Sequence, residues 1–172
     1  LAQRTRAWRA LADAERVSCF ARPEWVLPYA KAFEPSAVVV FAYEGSRLAG
    51  VFPCRQSKSR LGSALSTLGG EHVPELALAL SGDRERLLAS FVAWAFDQGH
   101  AELEVPRVSV DAPLYGALER AFAGRRTMVY ERVDRRQHHT VFDGDFATFL
   151  RGRSKNFRKQ VGRAQRAARD LG

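Results

Sequence analysis

Residues 36–54 read Ser36-Ala37-Val38-Val39-Val40-Phe41-Ala42-Tyr43-Glu44-Gly45-Ser46-Arg47-Leu48-Ala49-Gly50-Val51-Phe52-Pro53-Cys54. The run from Ala37 to Phe41 is rich in β-branched and aromatic side chains, which suit a pleated, half-buried surface. Glu44-Gly45-Ser46 is a turn, and the chain returns from Arg47 to Cys54 as a second strand with Leu48 and Val51 inside it. Two apolar runs around a short glycine turn predict a hairpin. Pro53 has no N–H for a ladder, so it marks an edge or a break. Residues 56–60 are polar and basic and are expected to be a loop.

Helices are expected before the hairpin. Residues 4–15 place Trp8, Leu11 and Ala12 on one face. Ser18 can cap the segment after it. Pro23 suits a first helical turn. Trp25, Val26, Tyr29 and Phe33 give the next helix its apolar face, with Pro28 expected to kink or shorten it.

Beyond the hairpin, residues 61–68 are expected to form a strand ending at Gly69-Gly70, and residues 75–80 a short buried one. Residues 83–98 are the clearest helix: Leu87, Leu88, Phe91, Val92 and Ala95 share a face and Gly99 stops it. Residues 101–105 follow as a strand. Asp111 is expected to cap a helix through Ala123, with Leu114, Leu118 and Phe122 in register, closed by Gly124. Residues 127–133 and 138–142 are expected strands around the Asp134-Arg135-Arg136 turn. Asp143 or Asp145 starts a short helix through Leu150, and Ser154 can cap a final helix. Helices and strands interleave, so the fold class is α/β or α+β: a mixed β-sheet flanked by helices, ending in a long basic helix. Val38, Val39, Val40, Val51 and Leu103 are expected in the sheet core, with Leu87, Phe91 and Trp94 packed on it, and Trp8 and Trp25 are also assigned to the core.

The chain has 172 residues, enough for one domain with a sizeable core. At 46% hydrophobic and 27% charged residues it is not a disordered sequence. It begins at Leu1, which points to trimming or to a fragment. Cys19 and Cys54 are the two cysteines, read as buried thiols of a reducing compartment. No apolar run approaches the roughly 20 residues of a membrane span, and Arg4, Arg6 and Arg9 lead into a mixed helix rather than a signal peptide. A cytoplasmic location is expected.

Charge is segregated. The chain holds 27 basic and 19 acidic residues, net +8. Residues 151–170 contain eight of the basic ones (Arg151, Arg153, Lys155, Arg158, Lys159, Arg163, Arg166, Arg169) and one acid, Asp170. That leaves 19 basic and 18 acidic residues elsewhere, so the body is nearly neutral and the tail carries +7. The domains are therefore read as 1–150, an α/β body, and 151–172, a basic amphipathic helix.

Several segments together resemble a known family. They are Ser18-Cys19-Phe20-Ala21-Arg22-Pro23-Glu24-Trp25, the hairpin end Gly50-Val51-Phe52-Pro53, Leu68-Gly69-Gly70, and Asp111-Ala112-Pro113-Leu114. Phe149-Leu150 then leads into Ser154-Lys155-Asn156-Phe157-Arg158 and an arginine-rich helix. In this order they resemble the first half of the acetyltransferases linked to bacterial cellulose biosynthesis (the CelD/BcsL group), which are similar to the Fem-type aminoacyltransferases with two GNAT-like folds in tandem. The resemblance implies a GNAT-like mixed sheet and N-acyl transfer from acetyl-CoA or another acyl-CoA. It implies an amine acceptor, either a small molecule or a polysaccharide or peptidoglycan-precursor amine. It also implies contacts with a second GNAT-like half that carries the main cofactor site. The acidic residue that such proteins place after the Leu-Gly step is matched only by Glu71-His72.

Glu71 and His72 are the candidate catalytic pair, since a carboxylate and an imidazole can deprotonate an amine. The competing reading is a plain surface loop. Lys159-Gln160-Val161-Gly162-Arg163-Ala164 approaches a pyrophosphate loop, but no strand precedes it and it reads as mid-helix. Phe157, Val161, Ala164, Ala168 and Leu171 form an apolar stripe, with the cations off it. Ser154, Lys155, Arg158, Lys159, Arg163 and Arg166 are the candidate anion- or substrate-binding residues; a solvated basic face is the alternative. His138-His139 is read as a strand start rather than a metal pair, and no metal is expected. A non-catalytic module whose basic helix grips nucleic acid or another polyanion is the other functional reading. Against nucleic acid as the partner, the aromatic residues do not interleave with the basic ones as a stacking platform requires.

Overall fold

The computed structural model describes residues 2–68, 76–123, 128–131 and 145–170. It divides into two compact units, Leu1–Arg132 and Val133–Gly172.

The first unit contains the hairpin as β1 (Ala37–Glu44) and β2 (Arg47–Lys58), paired antiparallel from Ala37↔Arg55 to Glu44↔Arg47. Gly45 alone in the two-residue turn has positive φ (+61°), which suits a glycine-first hairpin turn. The register slips between Ala42↔Gly50 and Tyr43↔Leu48, leaving Ala49 as the extra residue of a bulge. Contrary to the expected loop at 56–60, β2 continues to Lys58. The strand β3 (Ser63–Thr67) supplies it with partners from Cys54↔Thr67 to Lys58↔Ser63. A backbone ladder holds these polar residues, which carry no period-2 signal of their own.

The strand expected at 75–80 shortens to β4 (Ala79–Leu80), which pairs antiparallel with Gly50 and Val51. Both β3 and β4 thus lie on the same edge of β2. Helix α3 (Arg84–Asp97) then crosses over to β5 (Glu102–Glu104), which runs parallel to β3. The sheet order is β1-β2-β3-β5.

Both faces of this mixed sheet are covered. On one side lie α1 (Ala2–Ala14) and α2 (Pro23–Phe33), which bury Trp8, Leu11, Ala12 and Val26 against Leu48, Val51 and Ala79. Pro28 is accommodated inside α2, which stays short. On the other side lie α3 and α4 (Pro113–Ala123), which bury Leu87, Leu88, Phe91, Ala95, Ala117 and Leu118 against Ala49, Phe52, Cys54, Leu65 and Leu80. Val38, Val40 and Leu103 pack on this second side and Val39 on the first, all half-buried because β1 and β5 are the outer strands. Trp25 and Trp94 are half-buried against the two cores.

Helix α3 ends as expected. Gly99 takes φ +82° and the His100 and Gly99 amides donate to Ala95 and Phe96 carbonyls, at 3.3 and 2.9 Å. Helix α4 starts at Pro113 rather than after Asp111, because proline's fixed φ pre-forms its first turn. Cys19 corrects another expectation: it is exposed, whereas Cys54 is fully buried. A polar bend and a single 3-10 turn (Cys19–Ala21) carry Cys19 over the surface. Met128, Val129, Tyr130 and Glu131 form no strand and are exposed; the remainder of the two expected strands lies outside the described residues.

The second unit holds α5 (Phe146–Arg151) and α6 (Lys155–Asp170). Asp145 is the cap of α5, its carboxylate accepting from the Thr148 amide at 2.7 Å, a bond that holds its pKa below the usual value. Ser154 caps α6 as expected, accepting from the Phe157 amide at 3.2 Å.

Candidate functional site

Pro53 shapes the most distinctive part of the sheet. Its carbonyl accepts from the Leu68 amide at 2.8 Å, so its nitrogen faces the same edge. That nitrogen has no hydrogen and cannot return a bond to Leu68. Among the described residues, the next pairing on this edge of β2 is Val51↔Ala79. Along this edge β2 changes partner from β3 to β4 between Pro53 and Val51, at the C-terminal end of β3, beside its parallel neighbour β5. The C-terminal ends of parallel strands are where open α/β sheets hold ligands. The Leu76 amide donates to the Arg107 carbonyl at 2.9 Å, tying the returning chain to the loop after β5. Arg107 has φ +58°, an uncommon conformation for a non-glycine residue.

Thr67 is the last residue of β3. It is 2% exposed, and its hydroxyl has no hydrogen-bond partner among the described residues. Sequence reading missed it, because an orphaned hydroxyl shows only in three dimensions. Thr67→Val keeps the shape and removes that hydroxyl, so thermal melting is expected to show stability unchanged or raised by about 1 kcal/mol. A loss of that size instead would mean that the hydroxyl has a partner in segment 69–75. Opposite Thr67, burial pushes the Cys54 thiol up to about 12, so it is neutral and no nucleophile near pH 7. Glu71 and His72 lie outside the described residues.

A phosphate-bearing ligand would seek a helix N-terminus. That of α3 does not fit one. Gly82 (φ +79°) turns the chain, and the Asp83 carboxylate itself accepts from the Arg86 amide at 3.0 Å. Glu85 adds a second negative charge in the first turn and is held by Arg120 at 2.5 Å. The local cations are also engaged. Arg86 and Arg47 both pair with Glu44, holding its carboxyl below the usual range, and Arg47 also donates to Ser81 Oγ at 3.0 Å.

The N-terminus of α6 has the opposite character. Ser154, Lys155 and Arg158 meet in its first turn, and Lys159, Arg163 and Arg166 follow along the helix, all exposed. Arg158 has a local role: its Nη1 donates to the Arg151 and Arg153 carbonyls at 3.0 and 2.8 Å, capping the end of α5. The Arg153 guanidinium lies 4.3 Å from the Phe149 ring centroid. Phe149, Gly152, Arg153, Ser154 and Phe157 line an open groove of about 500 Å³. Residues 159–164, the candidate pyrophosphate loop, are all helical, so their amides serve the helix rather than a ligand. A Cβ at Gly162 would meet only Arg166 Nη1, at 3.7 Å, so nothing described demands a glycine there.

A second pairing hidden from the sequence joins Ser63 Oγ to His100 Nδ1 at 2.8 Å across 37 positions. His100 is 7% exposed and fastens the start of β5 to the start of β3, where Ala101 donates to the Ser63 carbonyl at 2.7 Å. The described residues contain no group of three His, Cys, Asp or Glu that could hold a metal ion. They also contain no helix long and apolar enough to cross a membrane.

No family model matches the chain, and no curated protein matches it. Solved structures do resemble it. One, described as a probable acetyltransferase, is 12% identical, with 83% of this chain and 91% of that one covered at a TM-score of 0.45. The ribosomal-protein-alanine N-acetyltransferase from Brucella melitensis biovar Abortus 2308 is 12% identical, covering 77% and 94% at 0.45. The aminoglycoside 6'-N-acetyltransferase AAC(6')-IG from Acinetobacter haemolyticus is 11% identical, covering 77% and 92% at 0.42. All three are described as acetyltransferases.

Proposed function

We propose that the first unit is the scaffold of a GNAT-like N-acyltransferase that moves an acyl group from acyl-CoA to an amine. The observation that carries this reading is the mixed sheet itself: the parallel pair β3 and β5, joined through α3, beside the antiparallel β1–β2 hairpin. Acyl transfer needs a place where an amine can meet a thioester carbonyl away from water. The amine loses a proton, attacks the carbonyl, and the tetrahedral oxyanion collapses with the thiolate leaving. Glu71 and His72 lie in the sequence between β3 and β4 and are the proposed base.

The acid-capped α3 favours a main cofactor site on a second GNAT-like half, as in the CelD/BcsL-type arrangement. The acceptor would be a small-molecule, polysaccharide or peptidoglycan-precursor amine, and the setting cytoplasmic. Calorimetric titration of residues 1–172 with acetyl-CoA is expected to show weak binding or none. Micromolar binding that strengthens in Asp83→Asn would instead place the cofactor at α3. In the full-length protein, Glu71→Gln and His72→Asn are expected to lower the acyl-transfer rate about 10²–10⁴-fold for whichever residue is the base. Absence of transfer to any amine would end this reading.

The exposed cations of α6 favour a second reading, a non-catalytic polyanion-binding module built on Ser154, Lys155, Arg158, Lys159, Arg163 and Arg166. The charge-swapped variant Arg158→Glu/Arg163→Glu/Arg166→Glu separates the two. Lost polyanion binding with intact acyl transfer to a small amine would support the module.

A further inference from the structure

We propose that the α5–α6 hairpin is a peripheral docking element for an anionic lipid surface. This role is independent of acyl transfer, since it uses only the second unit. Two observations combine. The first is charge: residues 151–170 carry eight basic side chains against one acidic, and Lys155, Arg158, Lys159, Arg163, Arg166 and Arg169 are all exposed along α6. The second is apolar. Phe146 is 47% and Phe157 40% exposed, and Phe149 joins them, with ring centroids 6.0 and 6.3 Å away.

Helical spacing puts Phe157, Val161 and Ala164 on one side of α6 and these cations on the other. A polyanion in solution would engage the cations and leave the phenylalanines in water. An interfacial helix uses both: its apolar side enters the headgroup boundary while the long arginine stems reach back to lipid phosphates. Charge complementarity selects an anionic surface over a neutral one. Each basic residue near such a surface multiplies affinity about fivefold.

The test is co-sedimentation of the 172-residue chain with vesicles of phosphatidylglycerol and phosphatidylcholine, and with phosphatidylcholine alone. Binding is expected to the first and not to the second. Arg163→Gln, Arg166→Gln and Arg169→Gln together are expected to weaken it about a hundredfold. Phe146→Ser with Phe157→Ser is expected to weaken vesicle binding at least about tenfold while leaving binding to a short DNA duplex unchanged. If circular dichroism shows that this pair unfolds the hairpin, Phe157→Trp replaces it. The emission that this variant adds to that of the unsubstituted chain must then shift to the blue on anionic vesicles and not on duplex. Three results would overturn the proposal in favour of simple polyanion binding: vesicle binding indifferent to the phenylalanines, an unmoved added emission in Phe157→Trp, or a tighter grip on duplex than on vesicles.

Discussion

Phe52→Ala is expected to lower folding stability by about 3–5 kcal/mol in urea titration. Phe52 is 0% exposed and sits in β2, the strand that every antiparallel pairing in the described sheet uses. Its ring lies parallel to that of Phe91, with 1° between planes and centroids 4.3 Å apart. Truncation would leave a void under α3 bounded by β-sheet backbone, which cannot collapse to fill it. Domains of this size have about 5–15 kcal/mol to lose. Phe52→Leu keeps most of the volume and should cost well under half as much. A loss below about 1 kcal/mol for the alanine variant would show that α3 is not held by this face of the sheet.

Trp8→Ala is expected to cost a similar amount, about 3–5 kcal/mol, on the opposite face. Trp8 is 1% exposed, meets Phe41 edge-on at 6.1 Å, and its Nε1 donates to the Ala21 carbonyl at 2.9 Å. That bond fastens α1 to the turn before α2. Trp8→Phe retains much of the apolar contact but strips a buried carbonyl of its donor, a penalty of about 1–3 kcal/mol. Hydrogen exchange should distinguish the two faces: Trp8→Phe should raise exchange in α1 and α2 before α3. Equal acceleration in both helical layers would mean that the two cores open as one.

Local signals marked much of this fold. The valine run and Gly45 define the β1–β2 hairpin, Asp83 and Gly99 delimit α3, and Ser154 opens α6 where the spacing predicts. Each is a feature that neighbouring residues settle among themselves, through propensity, caps and turns. Pro53 did not end its strand: it lies inside β2, opposite Val39 of β1, and its carbonyl still accepts from Leu68 on the other edge.

The candidate site was less legible. Glu71 and His72 remain an inference from sequence, and residue types alone could not show that Asp83 fills the N-terminus of α3. The burial of the Thr67 hydroxyl, without a partner among the described residues, and the bond from Ser63 to His100 depend on strands that meet only after α3 has crossed over. The polar end of β2 became a strand because β3 arrived to pair with it.

The sequence by itself determined the alternation of helices and strands from α1 to α4, the Gly99 stop of α3, the Ser154 cap of α6, and the segregation of charge into one helix, because these arise from contacts within a few residues. Only the tertiary structure decided which strands are neighbours, where β2 changes partner, and which polar side chains are buried. Those outcomes rest on pairing between distant segments, whose cost in chain entropy and gain in burial are settled together when the layers close.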